Sequence, residues 1–305
     1  MARVLAGPEA IAQGVRTLRA GGVVAFPTET VYGLGTDALN ADAVAKVFAL
    51  KGRPSDNPLI VHVAGEAMAR QVVSAWNEDA QRLAERFWPG PLTLVLPKSD
   101  ALPDAVTAGG TTVGVRAPAH PLTLALLEAF GGPLVGPSAN RSGRISPTTP
   151  AHVEQAFADV DLPIVDGGAC ARGIESTVLD LTTDPPRVLR PGVVTPDEIA
   201  AVLGRPLGSA SRCASGAERS PGRLGPHYRP MAPVVLVYPG ESEPTGVRVE
   251  LPDDADACAV MLYDALHRAD AAGPERIVVV LPTTPRGDAA VWDAILERLG
   301  RAAQG

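Results

Sequence analysis

The chain has 305 residues, with 46% hydrophobic and 20% charged, a globular composition long enough for two domains. Twenty-seven basic against 34 acidic residues leave a formal charge of −7, which opposes tight nonspecific binding to a polyanion, so any anion must be gripped by a local cluster. No apolar run approaches the roughly 18 residues of a membrane span, the N-terminus lacks a secretory pattern, and Cys170, Cys213 and Cys258 are too scattered for a disulfide scaffold or structural zinc; a cytoplasmic protein with no membrane partner is expected.

Helix-like and strand-like segments alternate over residues 1–204. Pro8-Glu9 opens a helix with Ile11, Val15 and Leu18 on one face, Gly21-Gly22 ends it, and Val23 to Phe26 reads as a buried strand. The next segment, Pro27-Thr-Glu-Thr-Val-Tyr-Gly-Leu-Gly35, reads as a loop rich in hydroxyls and glycine. Asn40 suits the N-cap of a helix carrying Val44, Val47, Phe48 and Lys51, closed by Gly52 before a strand at Leu59 to Val63. Further strands are expected at Leu92 to Leu96, Val113 to Arg116, Leu134 to Gly136, Thr177 to Leu181 and Arg187 to Leu189. Helices lie between them, notably Pro121 to Phe130 and one opened by Thr149-Pro150, and a capping box from Thr195 to Glu198 starts the last before Gly204.

Residues 205–233 are rich in Pro, Gly, Ser and Arg without apolar periodicity and read as a linker. Residues 234–305 then give a strand at Val234 to Val237, an acidic loop, a helix around Cys258 to Ala271, a strand at Ile277 to Leu281 and a last helix from Asp288. Such a small α/β unit is near the lower limit for an independent core and is expected to lean on the first domain.

Four segments carry chemistry. The Thr28 to Gly35 loop could grip a small polar ligand, or its hydroxyls could bond only their own backbone. Lys51-Gly-Arg53 places two cations at a helix end, where they could close on phosphate or simply complement the helix dipole. Gly136-Pro-Ser-Ala-Asn140 follows an apolar strand, the position where α/β proteins present ligand contacts. Asp166-Gly-Gly through Ser176 adds glycines and hydroxyls, and Arg172 and Arg190 add anion donors. There is no phosphate loop of the Gly-x-x-x-x-Gly-Lys type, no dinucleotide fingerprint and no hydrolase elbow. Cations, hydroxyls and amides without an activated nucleophile suggest positional and electrostatic catalysis of phosphoryl or nucleotidyl transfer.

These segments, with Trp88-Pro-Gly-Pro-Leu-Thr, Gly114-Val-Arg and Gly173-Ile-Glu-Ser-Thr-Val, closely resemble the YrdC-type threonylcarbamoyl-AMP synthase family in its long two-domain form. The resemblance implies a YrdC-like twisted mixed sheet around a large concave cavity, followed by a small C-terminal Rossmann-like domain. It implies condensation of L-threonine, bicarbonate and ATP into threonylcarbamoyl-AMP, with magnesium accompanying ATP and no metal ligand assigned to the protein. The product would pass to a tRNA threonylcarbamoyl transferase complex, with at most a weak RNA contact. By matching position, Thr30, His62, Arg116 and Ser176 should surround threonine. Lys51, Arg53, Asn57, Thr112, Ser138, Asn140, Ser146 and Arg190 should surround ATP, with Lys51, Arg53, Ser138 and Asn140 nearest the reacting groups and His227 and Tyr228 of the linker reaching over it. A carbamoyl-adenylate-forming carbamoyltransferase and an RNA-binding module are the alternatives, disfavoured by the absence of extra domains and by an aromatic content of only 4%.

Overall fold

A computed structural model of the chain describes residues 1–208 and 227–304. The first part runs β1 (Arg3–Leu5), α1 (Gly7–Arg19), β2 (Val24–Phe26), β3 (Gly33–Asp37), α2 (Ala41–Lys51), β4 (Ile60–His62), α3 (Glu66–Ala69), α4 (Glu78–Phe87), β5 (Leu92–Pro97) and α5 (Asp104–Thr107). It continues through β6 (Thr112–Arg116), α6 (Pro121–Phe130), β7 (Leu134–Val135), α7 (Pro150–Ala156), β8 (Pro163–Val165), β9 (Thr177–Asp180), β10 (Arg187–Arg190) and α8 (Pro196–Leu203). The ten strands form one mixed sheet in the order β1-β8-β2-β3-β7-β4-β6-β5-β9-β10.

Local chemistry explains the element ends. Asn40 accepts a hydrogen bond from Ala43 N at 3.1 Å, and Gly52 ends α2 at φ 62°, a left-handed turn that aims the next residues back over the sheet. Thr195 and Glu198 cap α8 reciprocally, as a capping box should.

The supposed Thr28 to Gly35 loop is corrected in its second half: Gly33–Asp37 is strand β3, antiparallel to β2. Its glycines make room for a ring. A Cβ at Gly33 would sit 2.6 Å from Phe26, and one at Gly35 2.5 Å from it, so only bare backbone can lie under this phenyl group. The edge strand β1 and its neighbour β8 are only three residues each, too short for a period to show, and are additions to the sequence reading.

After the linker, β11 (Val234–Val237), β12 (Val247–Glu250), α9 (Ala255–Ala271), β13 (Ile277–Val280) and α10 (Ala289–Ala303) form a second, three-stranded parallel sheet in the order β11-β13-β12. Strand β12 occupies part of the segment expected to be an acidic loop. Most of the linker, Cys213 included, lies outside the described residues. The second unit does lean on the first: Val31, Ile145 and Ile174 belong to the same buried cluster as Leu262, Tyr263, Ile295 and Leu299. The hydrophobic drive for that shared cluster is about 1.5–3 kcal/mol per fully buried aliphatic side chain. At Gly173 (φ 72°) a Cβ would lie 2.2 Å from the carbonyl oxygen of Ala259, so α9 rests directly on backbone of the first domain. No described helix is long and apolar enough to cross a membrane.

Candidate active site

One cavity collects side chains from the C-terminal ends of β4 and β6, the starts of β3 and β9, the end of β10, and the loops after β2 and β7. Parallel pairing sets His62 opposite Arg116, so both reach the rim at the same level. Arg116 is 4% exposed and heavily tied. Its Nε donates to the Gly90 carbonyl at 3.1 Å and its Nη1 to Thr30 Oγ1 at 2.9 Å, while Nη2 lies 2.5 Å from Glu29 Oε1 without hydrogen-bond alignment. Glu29 also accepts from Ala119 N at 2.9 Å. The Trp88-Pro-Gly-Pro segment therefore serves this wall indirectly, by supplying the Gly90 carbonyl and, through Thr93, a 2.8 Å hydroxyl contact to Ser176.

Next to it, Arg190 donates from Nη2 to Ser176 Oγ and from Nε to Ser176 O, both at 3.1 Å. His62 is buried, edge-on to Phe26 with ring centroids 5.3 Å apart, and its Nδ1 has no hydrogen-bond partner. Burial first and Arg116 second hold its pKa well below the ordinary 6.5, so the ring is neutral at physiological pH. Gly136 allows this placement, because a Cβ there would come within 2.4 Å of His62 Nδ1.

The remaining lining comes from the loop after β7 and the turn after α2. Lys51 Nζ donates to Ser138 O at 2.5 Å and Asn140 O at 2.7 Å. Its ammonium is 2% exposed and is directed into carbonyls instead of the cavity, and burial, with Arg53 nearby, lowers its pKa well below the usual lysine value. Arg53 does line the cavity; its Nη2 donates to Asn57 Oδ1 at 2.5 Å and to Pro58 O at 3.0 Å. Burial brings its pKa down to about 10, which leaves it cationic at neutral pH. Ser138, Asn140, Ser146, His227 and Tyr228 complete the wall. Tyr228 is a buried non-glycine residue at φ 64°, stacked on Tyr263 with centroids 5.5 Å apart. That backbone region is costly for a side chain with a Cβ and persists only where surrounding contacts enforce it.

Eleven of the fourteen residues to which the resemblance assigns a role thus share one cavity: Thr30, Arg53, His62, Arg116, Ser138, Asn140, Ser146, Ser176, Arg190, His227 and Tyr228; the expected anion donor Arg172 is exposed and is not among its lining residues. Lys51 stands behind the wall, and Asn57 is held by Arg53 and lines a separate recess with Gly52, Pro54 and Asp56. Thr112 starts the strand that ends at Arg116, about 13 Å away at strand rise, and does not line the cavity.

Sequence reasoning assigned no role to Thr28, whose hydroxyl lies 2.8 Å from Thr30 Oγ1, or to Arg144 and Glu175, all three on the cavity wall. Thr28 and Glu175 sit inside quoted motifs, so their spacing could have pointed to them. Cys170 is a packed thiol, with burial raising its pKa to about 12.

The recess is thus ringed by fixed cations, hydroxyls and amides, and His62 is bonded to no cavity hydroxyl, an arrangement suited to holding an anionic small molecule. A family model described as "Telomere recombination" (Sua5/YciO/YrdC) matches residues 16–192, and one described as "Threonylcarbamoyl-AMP synthase, C-terminal domain" matches 194–304. The chain belongs to the Sua5/YciO/YrdC family, in its two-domain form. It is 49% identical over 229 residues to a Bacillus subtilis threonylcarbamoyl-AMP synthase, covering 74% of this chain and 66% of that protein. It is 47% identical over 222 residues to the Pyrococcus abyssi threonylcarbamoyl-AMP synthase, covering 72% and 65%. The matched regions span just under two thirds of the length of these curated relatives. The crystal structure of P. abyssi Sua5 complexed with L-threonine superposes with a TM-score of 0.88 at 35% identity, covering 99% of this chain and 97% of that one.

Proposed function

We propose that this protein condenses L-threonine, bicarbonate and ATP into L-threonylcarbamoyl-AMP, releasing pyrophosphate, and that the product passes in the cytoplasm to a tRNA threonylcarbamoyl transferase complex for modification beside the anticodon. The observation that carries the reading is that one cavity brings together the hydrogen-bonded pair Thr30 and Arg116, the hydrogen-bonded pair Ser176 and Arg190, and Arg53, Ser138 and Ser146; the first pair is assigned to an amino-acid half and the rest to a nucleotide half. An amino acid and a nucleotide bound in these halves would meet.

In the first half, Arg116 and Thr30 suit a carboxylate and a hydroxyl, and neutral His62 offers a nitrogen without adding charge. Threonine's amine adds to bicarbonate with loss of water, giving a carbamate. A carbamate oxygen then attacks the α-phosphorus, and the bond to the β-phosphate oxygen breaks as pyrophosphate leaves. Arg53 and Arg190 lower the repulsion between the two anions, and a recessed cavity shields a carbamate that water would decompose.

Magnesium belongs to this reading as the companion of ATP. The described residues hold no cluster of three His, Cys, Asp or Glu side chains able to bind a metal, while the nucleotide half offers hard oxygen donors at Ser138, Asn140 and Ser146. That set fits an ion carried mainly by phosphate oxygens and water, whose chemistry is to neutralise phosphate charge. With a net charge of −7, any RNA contact is weak and local.

The test is incubation of the full chain with magnesium-ATP, threonine and bicarbonate, with mass spectrometry for threonylcarbamoyl-AMP and a pyrophosphate assay. Pyrophosphate release indifferent to threonine, or supported by carbamoyl phosphate in place of threonine and bicarbonate, would overturn the reading.

A further inference from the structure

Among the described residues, the largest fully buried side chain is a charged one from the last helix. Arg298 of α10 is 1% exposed, and its Nε donates to Glu175 Oε2 at 2.9 Å across the domain interface. Its Nη1 donates to the Ala294 carbonyl one turn back, and Nη2 lies 3.4 Å from the Glu175 carbonyl oxygen. Tyr263 of α9 adds its hydroxyl to both Glu175 oxygens, at 3.1 and 2.9 Å.

Glu175 is a wall residue of the cavity, and the partner it orients on the catalytic side is the Ser146 hydroxyl, which donates to Oε1 at 2.7 Å. Glu175 also acts electrostatically on Arg190, a cation of the same wall. The C-terminal domain therefore supplies Arg298 and Tyr263 to the carboxylate that orients a nucleotide-side hydroxyl.

We propose that Arg298 is a positioning residue for the nucleotide half of the cavity, holding the Glu175 carboxylate so that Ser146 is oriented and Arg190 is not drawn onto that carboxylate. The proposal rests on the functional reading above, since it assigns that half to ATP. Its physics is that of a buried carboxylate, which must be matched by a positive group once water is excluded. In the intact protein Arg298 provides that match from behind. Without it, the other buried cation acting on Glu175 is Arg190, and a guanidinium drawn onto an internal carboxylate holds a phosphate less well.

The experiment is calorimetric titration of the full chain with magnesium-ATP and, separately, with L-threonine. For Arg298→Met, ATP affinity should fall about tenfold or more, the loss of one charge-assisted hydrogen-bond arrangement, while threonine affinity stays within about twofold. Adding Glu175→Gln to Arg298→Met should recover most of the ATP loss, because the stranded charge disappears with its cause. A merely structural keystone gives a different pattern: both ligands weaken together and the second substitution makes matters worse, which would overturn the proposal.

Arg298→Lys keeps the charge without the fork and serves if Arg298→Met does not fold; it should show a smaller, ATP-selective loss, and unaltered ATP affinity in that variant would count against the idea. If the unmodified protein binds threonine but no ATP, the functional reading itself fails and this proposal goes with it.

Discussion

The ammonium of Lys51 lies 2.7 Å from the carbonyl oxygen of Asn140, a residue 89 positions later in the chain. A helix end and the loop after β7 are thereby joined by a buried amine that donates to the Ser138 and Asn140 carbonyls. Lys51→Met should leave the Ser138 and Asn140 carbonyls without their donor, at a cost of about 1–3 kcal/mol for each group left unsatisfied. We expect a lowered melting temperature together with lost turnover. A melting temperature equal to that of the unmodified protein would show that the ammonium is not needed to hold the loop.

Arg53 should behave differently because its guanidinium faces the cavity. Arg53→Ala removes charge-assisted hydrogen bonds worth roughly 1.5–3 kcal/mol, or about ten- to 150-fold in rate. The loss should fall mainly on turnover, since the charge on departing pyrophosphate grows during the step. Arg53→Lys should rescue in part, keeping charge without the bidentate fork. Steady-state kinetics beside a thermal melt decide it, and full activity with modest destabilisation would reduce Arg53 to a brace for Asn57.

The depressed pKa of His62 gives a prediction of flatness. A ring already neutral well below pH 6.5 contributes no titration to threonine binding between about pH 6 and 8. Calorimetric threonine affinity should therefore be level across that range once buffer ionisation is corrected. A step near pH 6.5 that disappears in His62→Asn would mean that the imidazole is charged in use.

Acid stability should be governed partly at the domain interface, where His152 and His267 stack with centroids 3.8 Å apart. Burial, then the neighbouring His267, lowers His152 to about 4; burial lowers His267 as well, opposed by the Ser146 carbonyl, Asp270 and Asp264. Asp264 also lies 3.5 Å from His152 Nε2. Both folded pKa values are below the unfolded value, so between about pH 6.5 and 4 the unfolded state binds more protons and stability falls as pH falls. Denaturant melts of His152→Phe should show a shallower loss over that window, and an unchanged slope would remove the pair from the account.

The sequence made legible those parts of the fold that depend on local signals. Asn40, Gly52 and the Thr195 to Glu198 box mark their helix ends by hydrogen bonds within one turn, and long apolar strands such as β5 announce themselves by composition. Gly33 and Gly35 misled because glycine ordinarily signals a loop, whereas here it clears space for Phe26 from another strand. In the site, residues inside compact motifs could be singled out together. Arg298 could not: an arginine in an amphipathic helix reads as solvent-facing, and its partner Glu175 is 123 residues away. Lys51 shows a subtler limit, since its importance was visible but the direction of its side chain, toward carbonyls and away from the cavity, is set by tertiary packing.

The contact at Gly173 bears on how the two domains could be exchanged between relatives. The atoms nearest a Cβ there are main-chain atoms of Ala259 and Val260, so a larger residue could not be accommodated by a change of rotamer and would have to shift the helix. The first domain can be grafted onto another C-terminal domain only if the new helix arrives at the same height over this glycine. Two positions along the chain from it is Glu175, on the cavity wall, so a helix seated an ångström too high would be read out as an altered cavity wall before it was read out as a failure to fold.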